Sequence, residues 1–302
     1  MDKLVKLNQQ FGIKEQLKFV QDSGDHIMID IDNVHARARI SLYGGQVLSY
    51  QPQGEAEDLL FLSDIAYFQE GKAIRGGIPI CWPWFGDDPS GLGRPAHGFA
   101  RNQNWTVLET KSLADDTTLV ILSLKDSTDS LAVWPYKFEL VIEVSVGNTL
   151  GLNLISKNLG NEAFSITQSL HTYLQVADIE QVAVKALDDI SYVDKTDQFK
   201  YKTQTGDVVV SAEIDRIYQS HPEQLILVDE SLNRQIVINS KGNKTAVIWN
   251  PWIDLAASMA DLHDDAYQHF ICVEAANAAE DIVTIPAGGQ YSLQSEYSVS
   301  RG

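Results

Sequence analysis

A chain of 302 residues is long enough to bury a large core, and its 23 basic against 41 acidic side chains leave a formal net charge of -18. With no basic run anywhere, that balance argues against nucleic acid and anionic membranes as partners, although a small anion needs only a local cluster of donors. The two cysteines, Cys81 and Cys272, offer neither a disulfide framework nor a metal-ligand spacing, and read as buried thiols of a reducing compartment.

The opening MDKLVKLNQQFG lacks the apolar core of a signal peptide, and no apolar run is long enough to span a bilayer, so a cytoplasmic location is expected. Leu4, Leu7 and Phe11 recur at helical spacing and predict a short amphipathic helix within residues 1–20. Strand signals follow at 26–31, 36–42 and 46–50. The segment from Lys72 to Arg101 is different. Prolines at 79, 83, 89 and 95 forbid a long helix, and glycines let the backbone turn sharply or approach a ligand. Arg75, His97 and Arg101 in it are groups that suit a phosphorylated ligand, so it is expected to wall an active site.

Strands are again predicted at 118–124, 138–146, from 150 onwards and at 234–240. In 138–146, Phe138, Leu140, Ile142, Val144 and Val146 share one face, with Glu139, Glu143 and Ser145 on the other and Val141 the exception. Between Ala163 and Val176 the second face carries Ser165, Thr167, Ser169, His171, Tyr173 and Gln175. An ordinary solvated face is richer in Lys and Glu; hydroxyls around a histidine suit a carbohydrate-lined groove. A short helix is expected over 255–263. Glu274 ends an apolar run begun at Gln268, and reads either as a strand-end carboxylate in water or as a desolvated proton acceptor. Many strands, frequent turns and few helices predict an all-β antiparallel sandwich or barrel, with residues 1–302 as one domain. No phosphate-binding loop, dinucleotide fingerprint, zinc-protease motif or nucleophile elbow is present. His263-Asp264-Asp265 reads as a charged surface turn.

Six motifs occur in order: IRGGIPICWPWFG from Ile74, HGFARN from His97, SLHTYL from Ser169, DRIY from Asp215, WNPW from Trp249 and CVEAANA from Cys272. Together they resemble the hexose-6-phosphate mutarotases, or glucose-6-phosphate 1-epimerases, of the aldose 1-epimerase (galactose mutarotase-like) superfamily. The resemblance implies a large β-sandwich with the sugar on a concave face, and interconversion of the α and β anomers of a sugar phosphate without metal or cofactor. It implies Glu274 as the base at O1 and His171 as the acid at the ring oxygen. His97 would be a second pocket histidine, Arg75 and Arg101 the phosphate ligands, and Asp215 an acceptor for a sugar hydroxyl. Ala96 departs from the glutamine common among relatives. Trp82, Trp84, Trp249 and Trp252 are expected mainly to pack loops rather than stack on the sugar. The alternatives are an aldose 1-epimerase for unphosphorylated sugars and a non-catalytic sugar-phosphate binder. Oligomeric state is left open, a monomer being the default.

Overall fold

The computed structural model describes residues 3–220 and 222–301. Two eight-stranded antiparallel sheets carry the fold. The back sheet runs, edge to edge, Val182–Lys185, Gln224–Asp229, Arg234–Lys241, Gln290–Ser300, Leu150–Asn158, Phe138–Val146, Thr118–Lys125 and Thr106–Ser112. The front sheet runs Lys200–Thr203, Ser191–Asp194, Ile214–Tyr218, Thr245–Asn250, Phe270–Asn277, Gln168–Leu170 and Ile80–Cys81, with Tyr173–Gln175 also pairing with Phe270–Asn277. One continuous apolar core takes Ile142, Leu154, Ile236 and Leu293 from the back sheet and Leu170, Leu174, Ile248 and Val273 from the front. This is the β-sandwich that the alternating sequence predicts. A four-stranded antiparallel sheet, Leu17–Gln21, Ile27–Asp32, Ala36–Ser41 and Gln46–Pro52, joins the same core. It is tied to the back sheet by Tyr50 Oη, which donates to Gly147 O at 2.9 Å, and by Asn33 Nδ2, which donates to Val146 O at 2.9 Å.

Three predicted elements differ from those observed. The N-terminal helix covers only Lys3–Phe11, residues 1 and 2 lying outside the described residues. Leu17–Gln21 is instead a strand with alternating burial, and Asn8 clips the helix to it by bonding Phe19 O and Phe19 N, each at 2.8 Å. The 163–176 segment is three short strands, Phe164–Ile166, Gln168–Leu170 and Tyr173–Gln175. The chain jogs between the last two because Thr172 N bonds back to Leu170 O while His171 N bonds Pro79 O. The helix expected over 255–263 spans Trp252–Ser258: Asn250 Oδ1 accepts from Trp252 N at its start, and Met259 N closes on Ala256 O. A further helix, Thr128–Val133, is held by a reciprocal cap between Ser127 and Ser130.

Candidate active site

Strand pairing brings the candidate residues to one face of the front sheet. All eight residues of Phe270–Asn277 are buried. Glu274 lies opposite Val247, Cys272 opposite both Trp249 and Tyr173, Ala276 opposite Ser169, and Trp249 opposite Asp215. Opposed residues point the same way, so Glu274, Ser169, Tyr173, Trp249 and Asp215 share a face. The Ile74–Arg101 segment covers it, and its glycines explain how. Gly77 has φ +62, and a Cβ there would stand 2.2 Å from Val47 O, so only glycine lets Ile78 N reach Val47 O at 2.8 Å. Gly98 has φ +71, and a Cβ would stand 2.0 Å from Trp82 O, where Phe99 N donates at 2.9 Å. These two close approaches fix the backbone beside Arg75 and His97.

The resulting cavity of about 250 Å³ is lined by Arg75, His97, Arg101, His171, Asp215 and Glu274, which are the six residues singled out from the sequence. A larger hollow, about 480 Å³, lies on the outer face of the back sheet among Glu143, Asn153, Asn239 and Glu296; it holds no histidine or arginine and lacks a proton-transfer pair. Of the two, the smaller cavity is the one that brings a carboxylate, two histidines and two arginines together.

Glu274 Oε1 stands 3.5 Å from His171 Nε2, and Glu274 Oε2 accepts from Ser169 Oγ at 2.7 Å. Burial pushes the Glu274 carboxyl up to about 8; the Ser169 bond opposes this, Asp215 adds to it, and Lys195 and Arg101 oppose it. Burial also drives His171 well below its ordinary value, helped by His97 and by the positive charges of Arg101 and Arg75. His97 is pushed down to about 3 by burial, then by Arg101, Lys195 and Arg75, and is a neutral ring. Its Nδ1 accepts from Gly86 N at 3.4 Å, which leaves Nε2 as the protonated, donating nitrogen. The strand face that carries Ser169, His171 and Tyr173 is thus a buried cavity wall, and Glu274 is the desolvated carboxylate rather than a strand end in water.

The two arginines differ. Arg75 donates through Nε to Asp261 at 3.2 Å and through an Nη to Tyr173 Oη at 3.1 Å. Arg101 donates to Ala96 O at 3.0 Å, its Nε is buried with no partner, and among the described residues it has no carboxylate. Ala96 thus serves Arg101 through its backbone carbonyl. Asp215 is held by Lys195, and burial raises its carboxyl despite that cation. Of the four tryptophans considered, Trp249 alone lines the cavity; Trp82 is fully buried, with its indole N–H on Ser156 Oγ at 3.1 Å. His263, Asp264 and Asp265 are exposed, as a surface turn requires.

Sequence reasoning did not find Lys195 or Asp261, and gave Ser169 and Tyr173 no individual part. Asp261 meets Arg75 across 186 positions, and no local pattern signals such a pairing. Lys195 stands in Val-Asp-Lys-Thr-Asp, which looks like any charged turn. The alternation that placed Ser169 on the face of His171 was the available clue, since it put a hydroxyl within reach of whatever faces the histidine.

The fold and this cavity define a class. Residues 28–298 match the aldose 1-epimerase family, and the chain belongs to it. More particularly, the chain is 38% identical over 254 residues, 84% of each chain, to a protein of Escherichia coli named "Putative glucose-6-phosphate 1-epimerase". It is 36% identical over 263 residues, 84% of this chain and 78% of the other, to one of Cenchrus ciliaris with the same name. Among solved structures, a "putative mutarotase" from Salmonella typhimurium superimposes with a TM-score of 0.89 at 32% identity, covering 97% of this chain and 96% of that one. A galactose mutarotase-like protein from Clostridium acetobutylicum, at 16% identity and TM-score 0.75 over 95% of this chain and 98% of its own, shares the fold.

Proposed function

We propose that this chain interconverts the α and β anomers of hexose 6-phosphates, glucose 6-phosphate among them, acting in the cytoplasm as a single domain spanning residues 1–302. The observation that carries this reading is one cavity holding both the Glu274–His171 pair, 3.5 Å apart, and the arginines Arg75 and Arg101. A carboxylate takes the proton from the O1 hydroxyl while an imidazolium gives one to the ring oxygen. The C1–O5 bond breaks and C1=O forms. Rotation about C1–C2 presents the other face of the aldehyde, and closure runs the same transfers backwards, the two groups exchanging roles. Glu274 is the group at O1 and His171 the group at the ring oxygen. His97, a neutral donor, hydrogen-bonds the sugar, and Asp215 accepts from a hydroxyl.

The pair needs one proton between its members. Burial raises the Glu274 carboxyl and, ahead of His97, Arg101 and Arg75, depresses the His171 imidazole, so both shifts favour the proton on Glu274. The two arrangements, GluH with neutral His and Glu⁻ with HisH⁺, are tautomers of one protonation state. A bound phosphate would offset Arg75 and Arg101, which add to the effect of burial on His171, and so would favour its protonated form. Arginine suits phosphate because its planar fork makes paired bonds to the oxygens.

One observation favours the free-aldose alternative: Arg75 is already engaged by Asp261 and Tyr173, as a structural arginine would be. Arg101 carries the phosphate assignment for that reason. The test is magnetisation exchange between the anomeric protons of glucose 6-phosphate, with and without protein. Exchange well above the buffer-catalysed rate supports the reading. No acceleration on any sugar phosphate, or acceleration confined to unphosphorylated sugars, overturns it.

A further inference from the structure

We infer that Lys195 is a substrate-contacting, specificity-determining residue which, together with Asp215, clamps two adjacent sugar hydroxyls. The inference rests on the hexose-phosphate reading of the cavity and goes beyond it, since none of the six sequence-derived site residues is a lysine.

Three observations carry it. First, Lys195 lines the cavity, and its ammonium is bonded to Asp215 Oδ2 inside it, with the two side chains 28% and 18% exposed. One ammonium hydrogen is used by Asp215, and an ammonium has three to give. The carboxylate likewise keeps lone pairs to spare. A lysine and a carboxylate side by side therefore present a donor next to an acceptor, and adjacent hydroxyls on a pyranose present the complement: one donates to Asp215 while its neighbour accepts from Lys195.

Second, the charges divide the cavity. Arg75 and Arg101 together face one carboxylate, Asp261, and keep a surplus positive charge for an anion. Lys195 and Asp215 cancel each other, which suits neutral hydroxyls better than a dianion. Lys195 also acts electrostatically on His97 and on Glu274, one of the two proposed reacting groups.

Third, the turn that presents Lys195 is built rather than loose. Asp194 accepts from Thr196 N at 3.0 Å and Thr196 Oγ1 at 2.7 Å, and is itself held by Lys202 at 2.8 Å. Asp194 also lies opposite Arg216 in the sheet, next to Asp215. The neighbouring Lys200 and Lys202 are committed to Asp197, so Lys195 is the lysine of this turn that points its charge into the cavity. Preorganised donors of this kind lose little on binding.

The test pairs Lys195→Met and Lys195→Arg with glucose 6-phosphate, its 2-, 3- and 4-deoxy analogues, and unphosphorylated glucose. Lys195→Met should lower kcat/KM roughly tenfold to a hundredfold, the worth of a hydrogen bond to a charged group. The factor should be the same for glucose 6-phosphate and glucose, because the phosphate is not the partner. One deoxy analogue should lose as much on the wild type, and should lose nothing further on Lys195→Met. Lys195→Arg should recover part of the activity on the full substrate. Losses that add for every deoxy analogue would overturn the contact and leave Lys195 a purely electrostatic neighbour of Glu274. A loss confined to the phosphorylated sugar would overturn it in favour of a phosphate contact. If the hexose-phosphate reading itself fails, the wild type will show no preference for glucose 6-phosphate over glucose, an outcome separate from any property of Lys195.

Discussion

Glu139 and Glu274 occupy comparable places, each on a regular strand of an eight-stranded sheet, yet the two sheets treat them in opposite ways. On the back sheet, Glu139 meets Lys157 at 3.0 Å, Lys125 at 3.3 Å and Ser123 Oγ at 3.2 Å. Burial works against its charge, but the lysine bonds outweigh that and hold the carboxyl below its ordinary value. On the front sheet, Glu274 has Ser169 and His171 as partners and, among the described residues, no lysine or arginine within ion-pair distance, and burial pushes its carboxyl up to about 8. Apolar–polar alternation is common to both sheets. What separates a solvated face from a site is the kind of polar residue and whether a loop covers it. The back sheet's outer face uses Glu, Lys and Asn in mutual pairs; the front face uses Ser, His, Tyr and Glu beneath the Ile74–Arg101 cover.

The sharpest way to break this contrast is to remove the front-sheet groups. Glu274→Gln and His171→Ala should each slow anomer exchange by ~10²–10⁴, with unchanged circular dichroism. Near-normal turnover in both would refute the acid–base pair. The next effect concerns the arginines. Arg101→Ala should cost roughly tenfold to a hundredfold in kcat/KM for glucose 6-phosphate and leave the activity on glucose nearly unchanged. Arg75→Ala should weaken both substrates, since it also strands Asp261 and Tyr173. Equal behaviour of the two variants would remove the distinction drawn between them.

The pH dependence sharpens the comparison further. Activity requires one proton on the Glu274–His171 pair, so kcat/KM should fall as pH rises through about 8 and that proton is lost. Ser169→Ala removes a bond that favours the carboxylate, so it should move this limb to higher pH; no movement would mean that the bond does not tune Glu274. Stability follows from the same group. A folded value above the ordinary one means that the contribution of Glu274 is fully present below about pH 4.5 and is lost as pH rises to about 8. Glu274→Gln should therefore raise Tm by a few degrees at pH 8.5 and by less at pH 5, read by thermal denaturation. The smallest effect belongs to the back sheet. Glu139→Gln should change turnover less than about twofold and stability by no more than about 1 kcal/mol, as partly solvated ion pairs do.

The sandwich was legible because period-two alternation in segments such as Phe138–Val146 reports burial directly, including the exception, Val141, which is buried on the wetter side. That these six residues come together was legible through their motifs, which also survive as local structure: Gly77 and Gly98 are glycines because backbone oxygens stand where a Cβ would be. What stayed hidden depends on contacts across the chain. The Arg75–Asp261 and Lys195–Asp215 pairs form only when strands distant in sequence are laid side by side. The helix prediction at 255–263 ran late because initiation is set by Asn250 and Pro251 rather than by the apolar spacing that follows. The 163–176 segment is divided because His171 N bonds Pro79 O in the covering loop, a partner invisible to local periodicity.

Glu274, His171 and Arg101 line one cavity, and the proposed reaction needs all three: a proton-transfer pair and an arginine for the phosphate. The decisive measurement is anomer exchange on glucose 6-phosphate and on glucose, comparing wild type with Arg101→Ala under the same conditions. The wild type should strongly prefer the phosphorylated sugar, and that preference should collapse roughly tenfold to a hundredfold in Arg101→Ala while exchange on glucose persists. A wild type indifferent to the phosphate, or an Arg101→Ala variant that loses both activities in equal measure, would contradict that proposal.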